Sequence, residues 1–260
     1  MSVAAAFAAY LSDPASYRDL VHALDSAGLK GQAALLRAFQ ADGTDSADGS
    51  VLSQSWAGRR CALGIAPPRE AVGGDLWFDP VEVAVMILVP RSAGQYAAWP
   101  SPVQQRMTRF VSWLAIARTS AWQVRGWAEV SGRADVPVDL DGTGPATGLS
   151  GQAANAYAAY FGKGLADALD WRAVAALGPV AARLWPDNVP EFVGYVGEGE
   201  VSVLRKDQAL SAGEDDEQDG NGEDDAFLDD VTSLSGVAFR THVSSQLGLV
   251  GDRSRWSRAG

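Results

Sequence analysis

Apolar residues recur at helical spacing near the start of the chain. Tyr17, Leu20, Val21 and Leu24 form one stripe, and Leu35, Leu36 and Phe39 a second. Ser12-Asp13-Pro14 is a helix start, a capping side chain followed by proline in the first turn, and Gly28 suits a left-handed stop. These signals predict a helical unit over residues 1–42. The small, polar run that follows reads as a linker, and 56–66 as a short helix before Pro67-Pro68, giving a linker with a short helix over 43–72. The pattern changes at Gly73-Gly74. Val83 to Val89 is a continuous apolar run of strand length, with Leu76 to Phe78 as its hairpin partner. Val103, Met107, Phe110, Val111 and Leu114 share a stripe that predicts a helix over 103–118. Residues 119–148 read as a long ordered or mobile loop. Ser150 caps a helix to about Phe161, stopped by Gly162, and Asp167 caps a further helix with Trp171 one turn in. Residues 183–196 read as an aromatic loop, Val201 to Arg205 and Gly236 to Ser244 as strands, and 251–260 as a loose tail. The fold class expected is α+β.

Charge sharpens this picture. The chain of 260 residues has a net charge of −11. Eleven carboxylates fall between Asp207 and Asp230, with no Lys or Arg among them. Taking those from the 32 acidic residues leaves 21, against 21 Lys and Arg, so the remainder is neutral. No basic cluster points to nucleic acid. No run approaches the roughly 20 apolar residues of a membrane helix. The apolar start lacks a positive flank and reads as a helix, not a signal peptide, so a cytoplasmic protein is expected. With one cysteine, Cys61, an intramolecular disulfide is impossible.

The stretch from Asp141 to Trp171 resembles the core signature of the formylglycine-generating enzyme family, also called sulfatase-modifying factors. Pro145-Ala-Thr-Gly-Leu-Ser150 stands where that family has its loop before the helix, and Tyr157-Ala-Ala-Tyr-Phe-Gly-Lys-Gly-Leu165 follows its Tyr-x-x-Trp-x-Gly-Lys-x-Leu string. Val89-Pro90, Pro102-Val103, Pro190-Glu191-Phe192, Val203-Leu204-Arg205 and Gly236-Val-Ala-Phe-Arg240 match further pieces in order, over about residues 75–248. The resemblance implies a loop-rich, C-type-lectin-like domain over 73–250. It also implies that Arg205 and Arg240 make internal salt bridges or carbonyl contacts. Residues 1–42 are similar to a short bacterial repeat-companion helical motif. The family's oxidases hold copper with two cysteines near the C-terminal end, and related sulfoxide synthases hold iron with three histidines. This chain has one cysteine and two histidines, His22 and His242. The resemblance is therefore to a catalytically degenerate member.

The expected function is a non-catalytic binding or accessory module for a protein or peptide partner, in a bacterial defence or signalling setting. Two alternatives stand beside it: an enzyme of altered chemistry, and a structural subunit whose 1–42 helices dock on a companion. Candidate partner-binding residues are Trp122, Trp127, Trp185, Glu191, Phe192, Tyr195 and His242, with core packing the competing reading of each aromatic. Cys61 reads as a buried structural thiol. No cofactor is expected. Calcium is the alternative, with no assigned site: counted from Asp215, Gly220 takes the sixth EF-hand position, but Ala226 takes the twelfth where Glu is required, and Asp139-Leu-Asp141-Gly is a second oxygen-ligand cluster that reads equally as turn chemistry. Oligomeric state is left open.

Overall fold

The computed structural model describes residues 1–41, 52–56, 59–68, 70–90, 111–137, 140, 142–166, 170, 189–194, 201–204, 237–244 and 252–256. Helix α1 spans Val3–Ser12, with the Ser2 hydroxyl accepting from the Ala5 amide at 3.2 Å. Asp13 ends it and caps the turn that leads into α2, Tyr17–Ser26. The stripe read from the sequence is the buried one: Leu20, Val21 and Leu24. Helix α3, Lys30–Ala41, buries Ala33, Leu35, Leu36 and Phe39.

Strands β1 (Leu52–Trp56), β2 (Arg59–Leu63), β3 (Leu76–Asp79), β4 (Ala84–Pro90), β5 (Val111–Ala115), β6 (Gly164–Leu165) and β10 (Thr241–Ser244) form one sheet. Their order is β1-β2-β3-β4-β5-β10-β6, antiparallel throughout except β2 against β3. A second sheet has the order β8 (Val201–Leu204), β7 (Glu191–Gly194), β9 (Ala238–Phe239). Helix α4 spans Ala121–Ser131 and α5 Gly151–Tyr160. Helices and sheet make this an α+β protein.

Strand β4 contributes to two apolar clusters, Val85, Ile87 and Val89 to one and Met86 and Leu88 to the other, which explains its unbroken hydrophobic run. Cys61, Leu76, Phe78, Ile87, Val89 and Leu114 join the main core with the helices. Ala62, Trp77, Met86, Leu88, Trp113, Ala115 and Val243 form a smaller cluster. In the main core, Phe7 of α1 meets Trp122 of α4 edge-on with centroids 5.0 Å apart, and Tyr157 of α5 touches Trp127, Phe161 and Phe239. Helix α1 approaches α4 closely because Gly126 has no side chain: a Cβ there would stand 2.7 Å from the Ala4 carbonyl oxygen. The N-terminal helices thus share one core with the sheet.

Several expectations are corrected. Arg59–Leu63 is a strand, not the short helix expected over 56–66, because register with β1 and β3 pairs its backbone on both sides. Residues 111–115, expected as the end of a helix, form strand β5 between β4 and β10. Helix α4 occupies 121–131 in the stretch read as a long loop; the Gln123 side chain accepts from the Ser120 amide at 2.8 Å and Gly132 ends it in the left-handed region. Residues 191–194 are strand β7, not loop. The loose tail is tied down at 252–256, where Trp256 is buried. The hairpin β3–β4, strand β8 and the Ser150-capped helix α5 stand as read, the cap accepting from Ala153 at 3.1 Å. Apart from Asp170, the helix expected after Asp167 lies outside the described residues, as do Asp139, Asp141 and the acidic segment 207–230.

Candidate functional site

Charged side chains converge where strand β3 turns into β4. Asp79 closes β3, and the turn residue Val83 takes φ 59°, a rare choice for a β-branched side chain. The turn is pinned from two helices: the Tyr10 hydroxyl of α1 donates to the Pro80 carbonyl at 3.0 Å, and Gln123 of α4 donates to the Glu82 carbonyl at 2.8 Å. Glu82 is thereby held in the interior.

Lys163 enters just beyond Gly162, whose φ of +68° lets the chain leave α5. Its ammonium lies 2.6 Å from Asp79 Oδ2 and 2.5 Å from Glu82 Oε2, with Met86 Sδ at 3.7 Å and the Trp77 ring at 5.6 Å. Thr241 of β10 donates to Glu82 Oε2 at 2.8 Å. Arg253 grips Asp79 with both guanidinium arms, at 2.8 and 3.1 Å. Two carboxylates and two cations balance in charge. Burial pushes the Asp79 carboxyl upward, but the Arg253 and then Lys163 charges outweigh it, leaving it below the usual carboxylate value. Tyr157 is pushed well above the usual phenol range, by burial first and then by the Glu82 charge.

A second cluster joins the two sheets. Glu191, fully buried at the start of β7, accepts from Arg118 Nε at 2.7 Å and from Arg240 Nε at 3.0 Å. Arg240 also donates to the carbonyls of Ala115 and Ile116 at the end of β5. The carbonyl and salt-bridge role expected for Arg240 is the one observed; Arg205 lies outside the described residues. A third contact sets His242 Nδ1 2.5 Å from Asp170 Oδ2, both groups buried. The imidazole lies over Gly164, where a Cβ would come within 2.9 Å of Nε2.

The candidate residues are distributed differently from expectation. Trp122 and Trp127 lie on α4, each 2% exposed, and Phe192 is fully buried on β7. All three are core side chains, turned inward by the apolar face of the element that carries them. Glu191 is buried in ion pairs with Arg118 and Arg240, and His242 is buried in contact with Asp170. Trp185 and Tyr195 lie outside the described residues. Cys61 is buried on β2, and burial pushes its thiol up to about 12. Among the described residues no group of three or more His, Cys, Asp and Glu side chains is placed to hold a metal ion, and no helix is long and apolar enough to cross a membrane.

The sequence reading passed over Asp79, Glu82, Lys163, Arg118, Asp170 and Arg253. Only Lys163 carried a signal, through its place after the glycine that stops α5. No family model, curated protein or solved structure matches the chain. The function must therefore be argued from geometry alone.

One surface feature is built like a display loop. After α4 the chain returns along the start of that helix: the Ala146 amide donates to the Thr119 carbonyl at 2.8 Å, and the Ala121 amide to the Gly144 carbonyl at 2.9 Å. Ala146 and Leu149 are buried anchors, whereas residues 142–145 are exposed.

Proposed function

We propose that the protein is a non-catalytic binding or accessory module that recognises a protein or peptide partner, on a degenerate formylglycine-generating-enzyme-like, C-type-lectin-like scaffold. The observation that carries this reading is the loop between α4 and α5, anchored at its stem by backbone hydrogen bonds and exposed at residues 142–145. Rigidly based loops are where binding function concentrates. The two principal clusters of buried charge are internally paired and join elements of the fold. The partner face is accordingly assigned to the exposed residues of 132–135 and 142–145, and not to Trp122, Trp127 or Phe192. A bacterial defence or signalling setting remains part of the proposal by resemblance, and the cytoplasm remains part of it from the apolar start that lacks a positive flank.

Arginine placed at Ala134 and Thr143, both exposed, should disrupt a partner isolated with the wild-type protein from its native host by at least about tenfold, with folding unchanged. Undiminished partner recovery by the folded double variant would overturn the assignment.

An enzyme of altered chemistry is the second reading. Its one specific support is the His242–Asp170 contact, the arrangement that orients a general base. Turnover of a cysteine-containing peptide, lost in His242→Gln, would favour it. The third reading, helices 1–42 docking on a companion, is weakened because α1 packs its apolar face on α4 of the same chain.

A further inference from the structure

Arg253 does more than balance Asp79. Its guanidinium meets four acceptors supplied by three separate parts of the fold. Nη1 donates to the Ile65 carbonyl at 2.8 Å and to Asp79 Oδ1 at 3.1 Å. Nη2 donates to Asp79 Oδ2 at 2.8 Å and to the Phe161 carbonyl at 3.1 Å. Phe161 caps the C-terminal end of α5, where the helix dipole is negative and favours a cation. The planar fork matches a carboxylate flanked by two carbonyls, and a lysine ammonium cannot reproduce that geometry.

Asp252, Ser254 and Arg255 are exposed, while Trp256 is buried and Arg255 stacks on its ring at 3.7 Å. Arg253 and Trp256 are thus the two inward anchors of residues 252–256. Without Arg253, Asp79 and Glu82 would share the single charge of Lys163, and the cradle would demand a cation. The Arg253 side chain is 9% exposed, so the cradle reaches the surface.

We propose that Asp79, the Ile65 carbonyl and the Phe161 carbonyl form a recognition site for a guanidinium group, and that the C-terminal segment is a latch that fills it in cis with Arg253. The ligand class is a free guanidinium or an arginine side chain. This site is separate from the 132–148 loop and stands whether or not that loop binds a partner.

The test is chemical rescue in the full-length protein. Arg253→Ala should lower Tm by roughly 10 °C, because it leaves two buried carboxylates sharing one lysine. Methylguanidinium at about 50 mM should recover a third or more of that loss, and methylammonium or sodium at equal ionic strength should not. Arg253→Lys should melt near Arg253→Ala, and methylguanidinium should not stabilise Asp79→Asn/Arg253→Ala. A lysine variant as stable as wild type would overturn the proposal. So would equal effects of the two organic cations, or no rescue of a folded Arg253→Ala. Should Arg253→Ala fail to fold, the lysine variant decides: melting like wild type refutes a fork-shaped site, and a large loss partly recovered by methylguanidinium supports it.

Discussion

Arg240 carries its guanidinium to one carboxylate and two carbonyls, and in doing so fastens β5, β7 and the β9–β10 junction. That use suits arginine, whose fork holds several acceptors at fixed angles. Cys61 is the opposite case, a reactive side chain silenced by its surroundings. Burial raises its thiol from an ordinary 9.0 to about 12. At pH 8 the folded protein should therefore carry roughly 1,000-fold less thiolate at this position than the unfolded chain. Labelling with a thiol reagent should be slow until denaturant unfolds the protein, and rate should follow the unfolded fraction. Fast labelling at zero denaturant would show an accessible thiolate and reopen thiol chemistry. The linkage has a definite sign. A raised folded pKa leaves the stability contribution intact below about pH 9 and removes it progressively as pH rises towards about 12.

Helix α1 meets α4 across Gly126, and this contact explains why an alanine-rich helix packs so closely. A Cβ at Gly126 would stand 2.7 Å from the Ala4 oxygen, 2.9 Å from the Phe7 ring and 3.1 Å from the Ala8 nitrogen. Two of those atoms are backbone, so the helix itself must shift. Gly126→Ala should cost about 1–3 kcal/mol, read as a lower denaturation midpoint, even though alanine has the higher helix propensity. Gly144→Ala, with nothing within 4 Å and no positive φ, is the matched control and should change little. Equal stability of the two variants would mean that α1 does not sit against α4. Elements with strong local signals were legible in the sequence: the Ser150 cap of α5, the β3–β4 hairpin and the stripe of α2. Val111–Ala115 was not, because Val111 and Leu114 fit a helical stripe as well as a strand. Pairing with β4 and β10, contacts remote in sequence, decides it. Helix α4 did carry a local signal, Ser120 with Gln123 three residues on, hidden by the Gly- and Pro-rich residues after it.

The whole molecule is organised around the β3–β4 turn, where α1, α4, the end of α5, β10 and the C-terminal segment all make a polar contact. Of this, only Lys163 was signalled in the sequence, by its place after the glycine that stops α5. Asp79, Glu82 and Arg253 are separated by up to 174 residues, and each reads locally as a solvated charge. Acid destabilisation probes this point through Asp79. The Asp79 carboxyl lies below its usual value despite burial, because Arg253 and Lys163 favour its charged form. A depressed folded pKa gives stability that is fully present above the unfolded value near pH 4 and is lost as pH falls through the folded one. Removing Arg253 removes the larger of the two favourable charges, so protonation of Asp79 should begin at higher pH. Circular dichroism melts between about pH 2 and pH 6 should show the acid destabilisation of Arg253→Ala setting in at higher pH than that of wild type. Asp79→Asn should be less stable than wild type at pH 6 and lose less on acidification, since the group whose titration matters is gone. If Asp79→Asn and wild type lose stability in parallel down to pH 2, the acid sensitivity resides in other carboxylates and the turn is not the electrostatic centre of the fold.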